Sequence, residues 1–495
     1  MNRTIRAIGS VVMALVFTLV LPTTVLANTT ASGAAEEHIL NELRRAQIPN
    51  ATIAVIQDGE ISYILKDSEH DTLFAIASVT KPFTAFGVLL LEDMGLLSIH
   101  DPVNQHLLWF EVRYNGAPVP HEDITIHHLI THTSGIAQNE GRFPRATPTE
   151  TTDEFTARLV GMELDFYPST SSAYSNMAYI ILGLLIEAVS GQSYDDFMTQ
   201  QVFHPLGLYN TFTNSERARD AGRRVVNGHM RGFLHAWQDD RDSDRHRNLI
   251  NAPSGGMYSN MSDLVRWAEI QLGIADVPEQ FARVVQRSHI PNLDANVAFI
   301  RGYVFTDGGW YVNLENGRIE HAGGARGYAA IVRLLPESNA AVVVLTNQRI
   351  NNIDELADIV LDAVVYGIFN NRSRDNIEMI DIGFTILIIE GFLFLCLFVW
   401  LLISVMKRLR NGAVIRPKFS LKCIFVSFVM LLNIGALILY YSFPYTMIDT
   451  TRESLLRNWP VSFGIAAIAV WVSALSATFA WFVKVFIHNR KKETI

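Results

Sequence analysis

Ser78 and Lys81 stand three residues apart in the stretch "ASVTKPFTAFG", where the sequence predicts the start of an apolar helix. Residues at this spacing share one helix face, so the lysine amine can reach the serine hydroxyl. A serine becomes a strong nucleophile when a base removes its proton, and the N–H groups of a helix start can stabilise a developing anion. Taken alone, an N-cap serine beside an unrelated lysine explains the pair better, because Ser-x-x-Lys arises by chance in a chain of this size.

A second polar group, Tyr174-Ser-Asn176, comes directly before an apolar helical run. A lysine cation favours the phenolate of a neighbouring tyrosine, so Tyr174 and Lys81 could together carry the Ser78 proton. Asn176 could hold a substrate amide. The two groups together point to nucleophilic catalysis by serine.

The third group is "HAGG", residues 321–324, at the end of a predicted strand. Glycines at this place let a substrate backbone lie against the strand, which assigns Gly323 to substrate binding. The N–H of Gly324 could join the N–H of Ser78 as an oxyanion hole.

The elements that must position these groups form a sheet from both ends of the region. "ATIAVIQDGEISYILK" predicts strands at residues 52–57 and 60–66, joined by the hairpin dipeptide Asp58-Gly59. Residues 300–347 contain three more β-branched runs with turn residues between them, and the long stretch in between has helical apolar spacing. The last predicted helix, "NIDELADIVLDAVVYGIF", could pack back on the sheet. The predicted fold class is α/β (α+β), an antiparallel sheet flanked by helices plus a mainly helical subdomain.

Six blocks in this order resemble the serine penicillin-recognising hydrolases, in the branch of class C β-lactamases, D-Ala-D-Ala carboxypeptidases and related esterases. They lie between about residues 35 and 370: "FAIASVTKPFTAFGVLLLEDMGLLSIHDPV", "ITIHHLITHTSGI", "YSNMAYIILGLLIEAVSG", "HPLGLYNT", "GGMYSNMSDLVRW" and "HAGGARGY". The resemblance implies a β-lactamase/transpeptidase-like fold with its cleft between the two parts. It implies acyl-enzyme chemistry on Ser78, with Lys81 and Tyr174 handling protons. Asn176 and His321 would position the substrate, and no cofactor is implied.

One block departs from the pattern of this family. Where many members have Lys-Thr-Gly, this chain has His321-Ala-Gly323, which weakens the fixed cation and removes a hydroxyl that would meet a substrate carboxylate. Histidine occurs at this place in some carboxypeptidase-like members, so peptides remain candidate substrates. Strong β-lactamase activity is not expected.

Three other patterns have simpler explanations than chemistry. His128 and His132 in "HLITH" have a zinc-ligand spacing on a helix, but no third ligand accompanies them, and a helix end with a turn is favoured. "DDRDSDR", residues 239–245, lacks the glycine and glutamate of a calcium loop. Tyr258-Ser-Asn260 repeats the Tyr-x-Asn spacing and competes weakly with Tyr174 for the base role. No metal is expected.

Apolar segments at both ends predict export and membrane attachment. Residues 1–27 carry two arginines, an apolar run and small residues, the order of a signal peptide cleaved after Ala27, although an uncleaved anchor would have a similar pattern. In a membrane domain at residues 381–495, the segments 384–406, 423–443 and 463–483 can each span a bilayer. Basic residues after the first and third spans belong in the cytoplasm, so residues 28–380 form the extracellular catalytic domain of a multi-pass cell-membrane protein. With three predicted spans at its C-terminal end, the chain is similar to FmtA-like membrane proteins.

Charge and cysteine content narrow the choice of partners. Residues 28–380 carry 26 Lys and Arg against 44 Asp and Glu, a net charge near −18 that disfavours nucleic acid as a partner. Cys396 and Cys423, the only two cysteines, fall in predicted spans, so no disulfide holds the outer domain. Glu390 lies inside the first span, where an acidic residue suggests a functional role. Its place near the outer end, where tilt or local water could reach it, favours a simpler explanation.

These features predict a membrane-anchored serine hydrolase that acts on a D-alanyl amide or ester of the cell envelope through an acyl-Ser78 intermediate. Its partner would be a small molecule or a cell-wall peptide. Two alternatives remain, a broad-specificity carboxylesterase and a non-catalytic cell-wall sensor that keeps the fold. The intact set of Ser78, Lys81, Tyr174 and Asn176 argues against the sensor.

Overall fold

The computed structural model describes residues 31–136, 146–147, 149–239, 249–293, 302–374, 376–411, 414–415 and 462–488. The predicted signal peptide and the second predicted span lie outside these residues, as does most of the "DDRDSDR" segment. Up to residue 374 the chain forms a sheet with helices on both faces, and two long apolar helices follow.

A seven-stranded antiparallel sheet organises the first part. In chain order the strands of the protein are β1 (Ala51–Gln57), β2 (Glu60–Lys66), β3 (Phe74–Ala75), β4 (Val112–Tyr114), β5 (Ala117–Pro118), β6 (Met162–Glu163), β7 (His229–Gly232), β8 (His235–Gln238), β9 (Tyr258–Ser259), β10 (Tyr303–Phe305), β11 (Tyr311–Asn313), β12 (Ile319–Ala325), β13 (Tyr328–Leu335), β14 (Ala340–Thr346), β15 (Val414–Ile415) and β16 (Ile487–His488). The large sheet has the order β10-β11-β12-β13-β14-β1-β2. Its two halves join where β1 pairs with β14, with Ala51 opposite Thr346. The prediction that both ends of the domain build the sheet is confirmed.

The β1–β2 hairpin turns at the predicted dipeptide. Asp58 and Gly59 have φ angles of 51° and 83°, the left-handed values that a two-residue hairpin turn requires. The turn fixes the register in which Gln57 faces Glu60. Because side chains alternate along a strand, this register decides which face of the sheet each residue of β1 and β2 covers.

Helices predominate in the described part of the chain between β2 and β10, as the apolar spacing predicted, and the strands there, β3 to β9, are short. The helices of the protein are α1 (Ala31–Arg45), α2 (Thr80–Asp93), α3 (Val103–His106), α4 (Ile126–Ile130), α5 (Thr152–Ala157), α6 (Asn176–Ser190), α7 (Tyr194–Leu206), α8 (Ser215–Asp220), α9 (Ala252–Gly255), α10 (Met261–Gln271), α11 (Glu279–Ser288), α12 (Ile353–Leu361), α13 (Asn376–Arg410) and α14 (Ser462–Phe486). The central helix α6 is almost wholly buried, and Gly191 ends it in a left-handed cap with φ of 70°.

Two apolar cores cover the two faces of the sheet. The core towards the helical part includes Phe83 of α2, whose ring stacks on Trp267 of α10 with centroids 4.2 Å apart. The opposite core joins α1 and α12 to the sheet, with Ile39 and Val360 packed near Val344. The last predicted helix of the domain therefore does pack back on the sheet. The predicted site residues lie on the first face, between the sheet and α2 and α6.

One helix of the described chain, Glu378–Arg410, is long and apolar enough to cross a membrane. This is fewer than the three predicted spans, and the second of those lies outside the described residues. The third coincides with α14, an apolar helix of 25 residues. The bent pair α6 and α7 also has the composition of a span, but its residues belong to the core on the helical side of the large sheet.

Helices α13 and α14 pack side by side and run in the same direction. Contacts advance together along both helices, from Asp381 with Ser462, through Gly391 with Ala469, to Phe398 with Phe479. The Gly391 crossing is close, because a Cβ added there would lie 2.5 Å from the Cβ of Ala469. Small residues at such a crossing let two apolar helices approach each other.

Candidate active site

Ser78 lies in a single 3-10 turn, Ala77–Val79, that leads into α2. Ala77 has φ of 48°, a left-handed conformation that is unfavourable for a residue with a Cβ. Neighbouring segments hold the turn, since the N–H of Ile76 donates to the carbonyl of Met257 at 3.0 Å. The strained turn leaves Ser78 half-buried at the start of the helix.

Lys81 is completely buried, one turn further along. Its Nζ donates to the Oδ1 of Asn176 at 2.8 Å and to the carbonyl of Ser254 at 2.5 Å. It also donates to the Oγ of Ser78 at 3.4 Å. Burying an amine is costly unless other groups replace its water, and these three oxygens do so.

Tyr174 and Asn176 reach Lys81 from the segment that enters α6. The Oγ of Ser175 caps the helix by accepting the N–H of Ala178 at 3.1 Å, which makes Asn176 the first helical residue. The ring of Tyr174 lies beside the amine, with its centroid 4.6 Å from the Nζ. The structure therefore brings the predicted residues together around one buried amine.

β12 runs against the turn that carries Ser78. A Cβ added to Gly323 would lie 2.2 Å from the carbonyl oxygen of Ile76 and 3.0 Å from the backbone nitrogen of Ser78, so glycine alone fits. A Cβ on Gly324 would meet nothing within 4 Å, so the space beside that residue is open. This close approach places the backbone of β12 beside that of Ser78.

Two buried histidines border the site. His132 of the "HTSG" segment lies between the rings of Tyr174 and Phe305, with centroids 4.6 and 4.4 Å away. Its Nδ1 accepts the N–H of Ser175 at 3.0 Å. His321 lies on β12, and its Nδ1 bonds the carbonyl of Ala322 at 2.8 Å. Within the described residues, neither histidine has a hydrogen-bond partner for its Nε2.

Burial keeps both imidazoles neutral. Loss of water, reinforced by the charge of Lys81, lowers the pKa of His321 to about 3. Burial likewise lowers the pKa of His132 well below its usual value, and the charge of Lys81 adds to the effect. At neutral pH, His321 therefore presents no positive charge where many related sequences have the lysine of Lys-Thr-Gly.

Comparison with known proteins decides the family. The model of the β-lactamase family matches residues 34–366. The chain belongs to the β-lactamase family.

Two relatives of this β-lactamase-family protein differ in how much of the chain they match. Protein flp of Staphylococcus aureus (strain N315) is 25% identical over 478 residues, 92% of this chain and 91% of flp. Penicillin-binding protein 4* of Bacillus subtilis (strain 168) is 27% identical over 61% of this chain and 68% of its own length. The likeness to flp therefore extends beyond the catalytic domain into the C-terminal apolar region.

Solved structures show the same fold. The β-lactamase/D-alanine carboxypeptidase from Pseudomonas syringae has a TM-score of 0.55 at 18% identity, over 67% of this chain and 99% of its own. The D-alanine carboxypeptidase AmpC from Burkholderia cenocepacia gives 0.54 at 19% identity, over 68% of this chain and 99% of its own. The predicted serine penicillin-recognising fold is confirmed.

The competing sequence patterns have structural explanations in this β-lactamase-family protein. Tyr258 is buried in β9, which pairs with β3, and Asn260 caps α10 by accepting the N–H of Asp263 at 2.9 Å. His128 caps α4 together with Thr125, and its Nε2 bonds the Oγ of Ser169 at 2.8 Å. Among the described residues, no group of three or more His, Cys, Asp or Glu could hold a metal ion.

Sequence reasoning missed two parts of the site. The carbonyl of Ser254 accepts a hydrogen bond from the Lys81 amine. Every residue has a backbone carbonyl, so the sequence does not show which one takes this role. Its only signal was the block "GGMYSNMSDLVRW", which begins at Gly255 and resembles the family. His132 was assigned to a turn, which its φ of 59° supports, but its ring also supports Tyr174.

Proposed function

We propose that this protein is a membrane-anchored serine hydrolase that acts on a D-alanyl amide or ester of the cell envelope through an acyl-Ser78 intermediate. The observation that carries the proposal is the buried amine of Lys81, which bonds Ser78, Asn176 and the carbonyl of Ser254 at once. A lysine cation favours the phenolate of the tyrosine beside it, so Lys81 and Tyr174 together can take the proton of the serine and activate it as a nucleophile.

In the first half-reaction, the Oγ of Ser78 bonds to the carbonyl carbon of the substrate. The hydroxyl proton passes to the Lys81 and Tyr174 pair and then to the leaving amine or alkoxide. The N–H groups of Ser78 and Gly324 take the negative charge that develops on the carbonyl oxygen. The close packing of β12 on the Ser78 turn supports this role, since both N–H groups belong to one rigid corner.

In the second half-reaction, water attacks the acyl carbon, and the bond from this carbon to the Oγ of Ser78 breaks. The proton of the water passes through the same pair to the Oγ, so the serine hydroxyl is restored and the carboxylic acid leaves. Asn176 bonds Lys81 and begins α6. It can hold a substrate amide while it fixes the amine. Gly323 and His321 line the strand along which the substrate backbone lies.

The neutral imidazole of His321 bears on the choice of substrate. A substrate carboxylate needs a fixed positive partner, and a histidine with a pKa of about 3 does not supply one. This favours substrates whose D-alanyl group is bound through an ester or amide without a free carboxylate at this strand. The same observation supports a broad-specificity carboxylesterase as the second candidate, because an ester needs less activation than an amide.

Membrane attachment rests on the C-terminal helices. α13 has the length and composition of a span, and α14 lies parallel to it. Because α13 and α14 are parallel, the end of α13 and the start of α14 lie at opposite ends of the helix pair. This supports the prediction of a further span at residues 423–443, and with it three spans, an extracellular catalytic domain at residues 28–380 and a membrane domain at residues 381–495.

The test uses the full-length protein in detergent or nanodiscs. It is treated with a fluorescent penicillin, a fluorophosphonate and a panel of D-alanyl amides and esters, beside Ser78→Ala. We expect covalent labelling and turnover that depend on Ser78, with esters turned over faster than β-lactams. Absence of any Ser78-dependent adduct or turnover would reject the hydrolase and favour the non-catalytic sensor. Equal turnover of D-alanyl and unrelated acyl esters would favour the broad carboxylesterase.

A further inference from the structure

The β7–β8 hairpin connects the catalytic domain to the two apolar helices. Its tip residues, Phe233 and Leu234, have φ angles of 54° and 59°, so both occupy the left-handed region without being glycine. The two tip N–H groups donate to the two oxygens of Asp381, at 2.9 and 2.8 Å. One carboxylate therefore holds a strained turn in place.

Asp381 is completely buried in the second turn of α13. It also accepts the hydroxyl of Ser462, the first residue of α14, at 2.5 Å. Arg231 of β7 lies 3.7 Å from Asp381 and donates to the carbonyl of Ala46 at 3.1 Å. The carboxylate thus joins the hairpin tip to the first turns of both helices, three residues before the predicted first span begins.

The other end of the hairpin contacts the strand of the site. The N–H of His229 donates to the carbonyl of Gly327 at 3.3 Å, and a Cβ on Gly327 would lie 2.7 Å from the Cα of Gly228. Asp239, directly after β8, forms an ion pair with Arg326. Arg326 and Gly327 make the turn that follows β12, two residues beyond Gly324. The β7–β8 hairpin therefore connects the first turns of α13 and α14 to the turn that follows β12, the strand beside Ser78.

The hairpin exposes two large apolar side chains beside the polar His235 and Gln238. Leu234 and Trp237 are 44% and 49% exposed. The indole N–H of Trp237 donates to the carbonyl of Gly232 at 2.7 Å, so the ring is turned outward with its polar atom satisfied. Met379, 55% exposed, lies on α13 just before Asp381. Exposed tryptophan and aliphatic side chains level with a span start are typical of the membrane interface.

We propose that the β7–β8 hairpin is seated in the outer lipid interface and holds the turn after β12 in position. The inference rests on the membrane attachment of α13 proposed above. The lipid surface anchors the tip through Leu234 and Trp237, and Asp381 ties it to both helices. The rigid hairpin then fixes Arg326 and Gly327, and with them the backbone at Gly324.

The seating is tested by spin-label accessibility in full-length protein in phosphatidylcholine and phosphatidylglycerol nanodiscs, with both cysteines replaced by serine. Labels are placed at Leu234→Cys, at Leu393→Cys on exposed α13, and at Leu108→Cys, an 83% exposed residue of the helical part. We expect Leu393 and Leu234 to be reached better by oxygen than by an aqueous nickel chelate, and Leu108 the reverse. If Leu393 lies in lipid while Leu234 matches Leu108, the hairpin proposal is overturned. If Leu393 is in water, the membrane anchor itself fails, and the hairpin proposal falls with it.

The link to the site is tested by hydrogen exchange, which needs no enzymatic activity. Asp381→Asn keeps the size of the side chain but removes the charge that holds the tip. We expect amides in the 319–328 peptide to exchange at least tenfold faster in this variant, and those in the β1–β2 peptide to stay unchanged. The pair exchange Asp239→Arg with Arg326→Asp should restore protection lost in Arg326→Asp alone. Unchanged exchange at 319–328 in both Asp381→Asn and Arg326→Asp would overturn the positioning role.

Discussion

The Nζ of Lys81 lies 2.8 Å from the Oδ1 of Asn176, across the junction between α2 and α6. The amine belongs to α2, the helix that follows the turn of Ser78, and the amide belongs to α6, the helix that Tyr174 precedes. The bond fixes the two helix starts relative to each other. The nucleophile and the proton carriers are therefore positioned by one buried contact rather than by separate loops.

Removing the amine should abolish acylation of Ser78. Lys81→Met keeps the length of the stem, and we expect the labelling rate with a fluorophosphonate to fall by about 10³-fold, within the range of a lost general base. Lys66→Met is the matched control, because Lys66 donates to the carbonyl of Pro49 on the far hairpin. Equal labelling rates for the two variants would remove Lys81 from the mechanism.

The two tyrosines of the Tyr-x-Asn patterns should behave differently. Tyr174→Phe keeps the ring beside Lys81 but removes the hydroxyl, and we expect acylation to slow by about 10²-fold. Tyr258→Phe, in the pairing of β9 with β3, should leave the labelling rate within about twofold. Single-turnover labelling measures both. A larger loss in Tyr258→Phe would reverse the assignment of the phenol.

Adjacent glycines of β12 offer a matched steric pair. Gly323→Ala places a Cβ against the carbonyl of Ile76 and the nitrogen of Ser78. We expect it to cost about 1–3 kcal/mol of stability and most of the acylation rate. Gly324→Ala meets open space and should fold as the wild type does. Thermal unfolding and Ser78 labelling distinguish the two, and equal melting temperatures would argue against close packing of β12 on the turn.

Acid should destabilise the fold through His321. In the unfolded chain this histidine takes up a proton near pH 6.5, whereas its folded pKa is about 3. Between these values the unfolded state binds more protons, so stability rises with pH up to about 6.5 and falls as the solution is acidified. In His321→Gln, the loss of unfolding free energy between pH 7 and pH 4.5 should therefore be smaller by roughly 2–3 kcal/mol.

Urea unfolding at pH 4.5 and pH 7 measures the effect of His321→Gln. His132 contributes in the same direction, since burial also lowers its pKa, so the double variant with His132→Gln should flatten the slope further. His204→Gln, at an exposed histidine, is the control. An unchanged slope in the double variant would mean that these imidazoles titrate normally in the folded protein.

The crossing of α13 and α14 should depend on Gly391. Gly391→Leu forces a side chain into the backbone of Ala469, whereas Gly383→Leu has nothing within 4 Å of the new Cβ. In a background without native cysteines, Val405→Cys and Val483→Cys should form a disulfide, because these valines pack together. We expect Gly391→Leu to reduce its yield several-fold and Gly383→Leu to leave it unchanged. Similar yields in both would contradict the close crossing.

Much of the fold could be predicted because its signals are local. The Asp58-Gly59 hairpin, the strand runs after residue 300 and α6 follow from turn residues and apolar period. The contacts of the site are not local. The turn at Ser78 is bordered by Gly323, 245 positions later in the chain, and no periodicity links the two.

The residues of the site could be named from their order in the family blocks, but their environment could not. Whether His321 is charged depends on its burial and on the distance to Lys81, neither of which a sequence displays. The contact between Asp381 and the hairpin tip could not be predicted either, because the partners of this carboxylate are two backbone N–H groups. Side chains that bind backbone atoms leave no recognisable pattern.

The pairing of β1 with β14 has a consequence for the order in which the protein is made. Ala51 cannot pair with Thr346, its partner in the sheet, until the ribosome has added Thr346. At ordinary elongation rates this happens about 15 to 60 s later. During that interval β1, with its row of buried aliphatic residues, is an open sheet edge and a site for wrong pairing. The first long apolar helix begins only 30 residues after β14. Closure of the sheet and synthesis of that helix are therefore nearly simultaneous, and a delay in closure leaves the β1 edge open to aggregation.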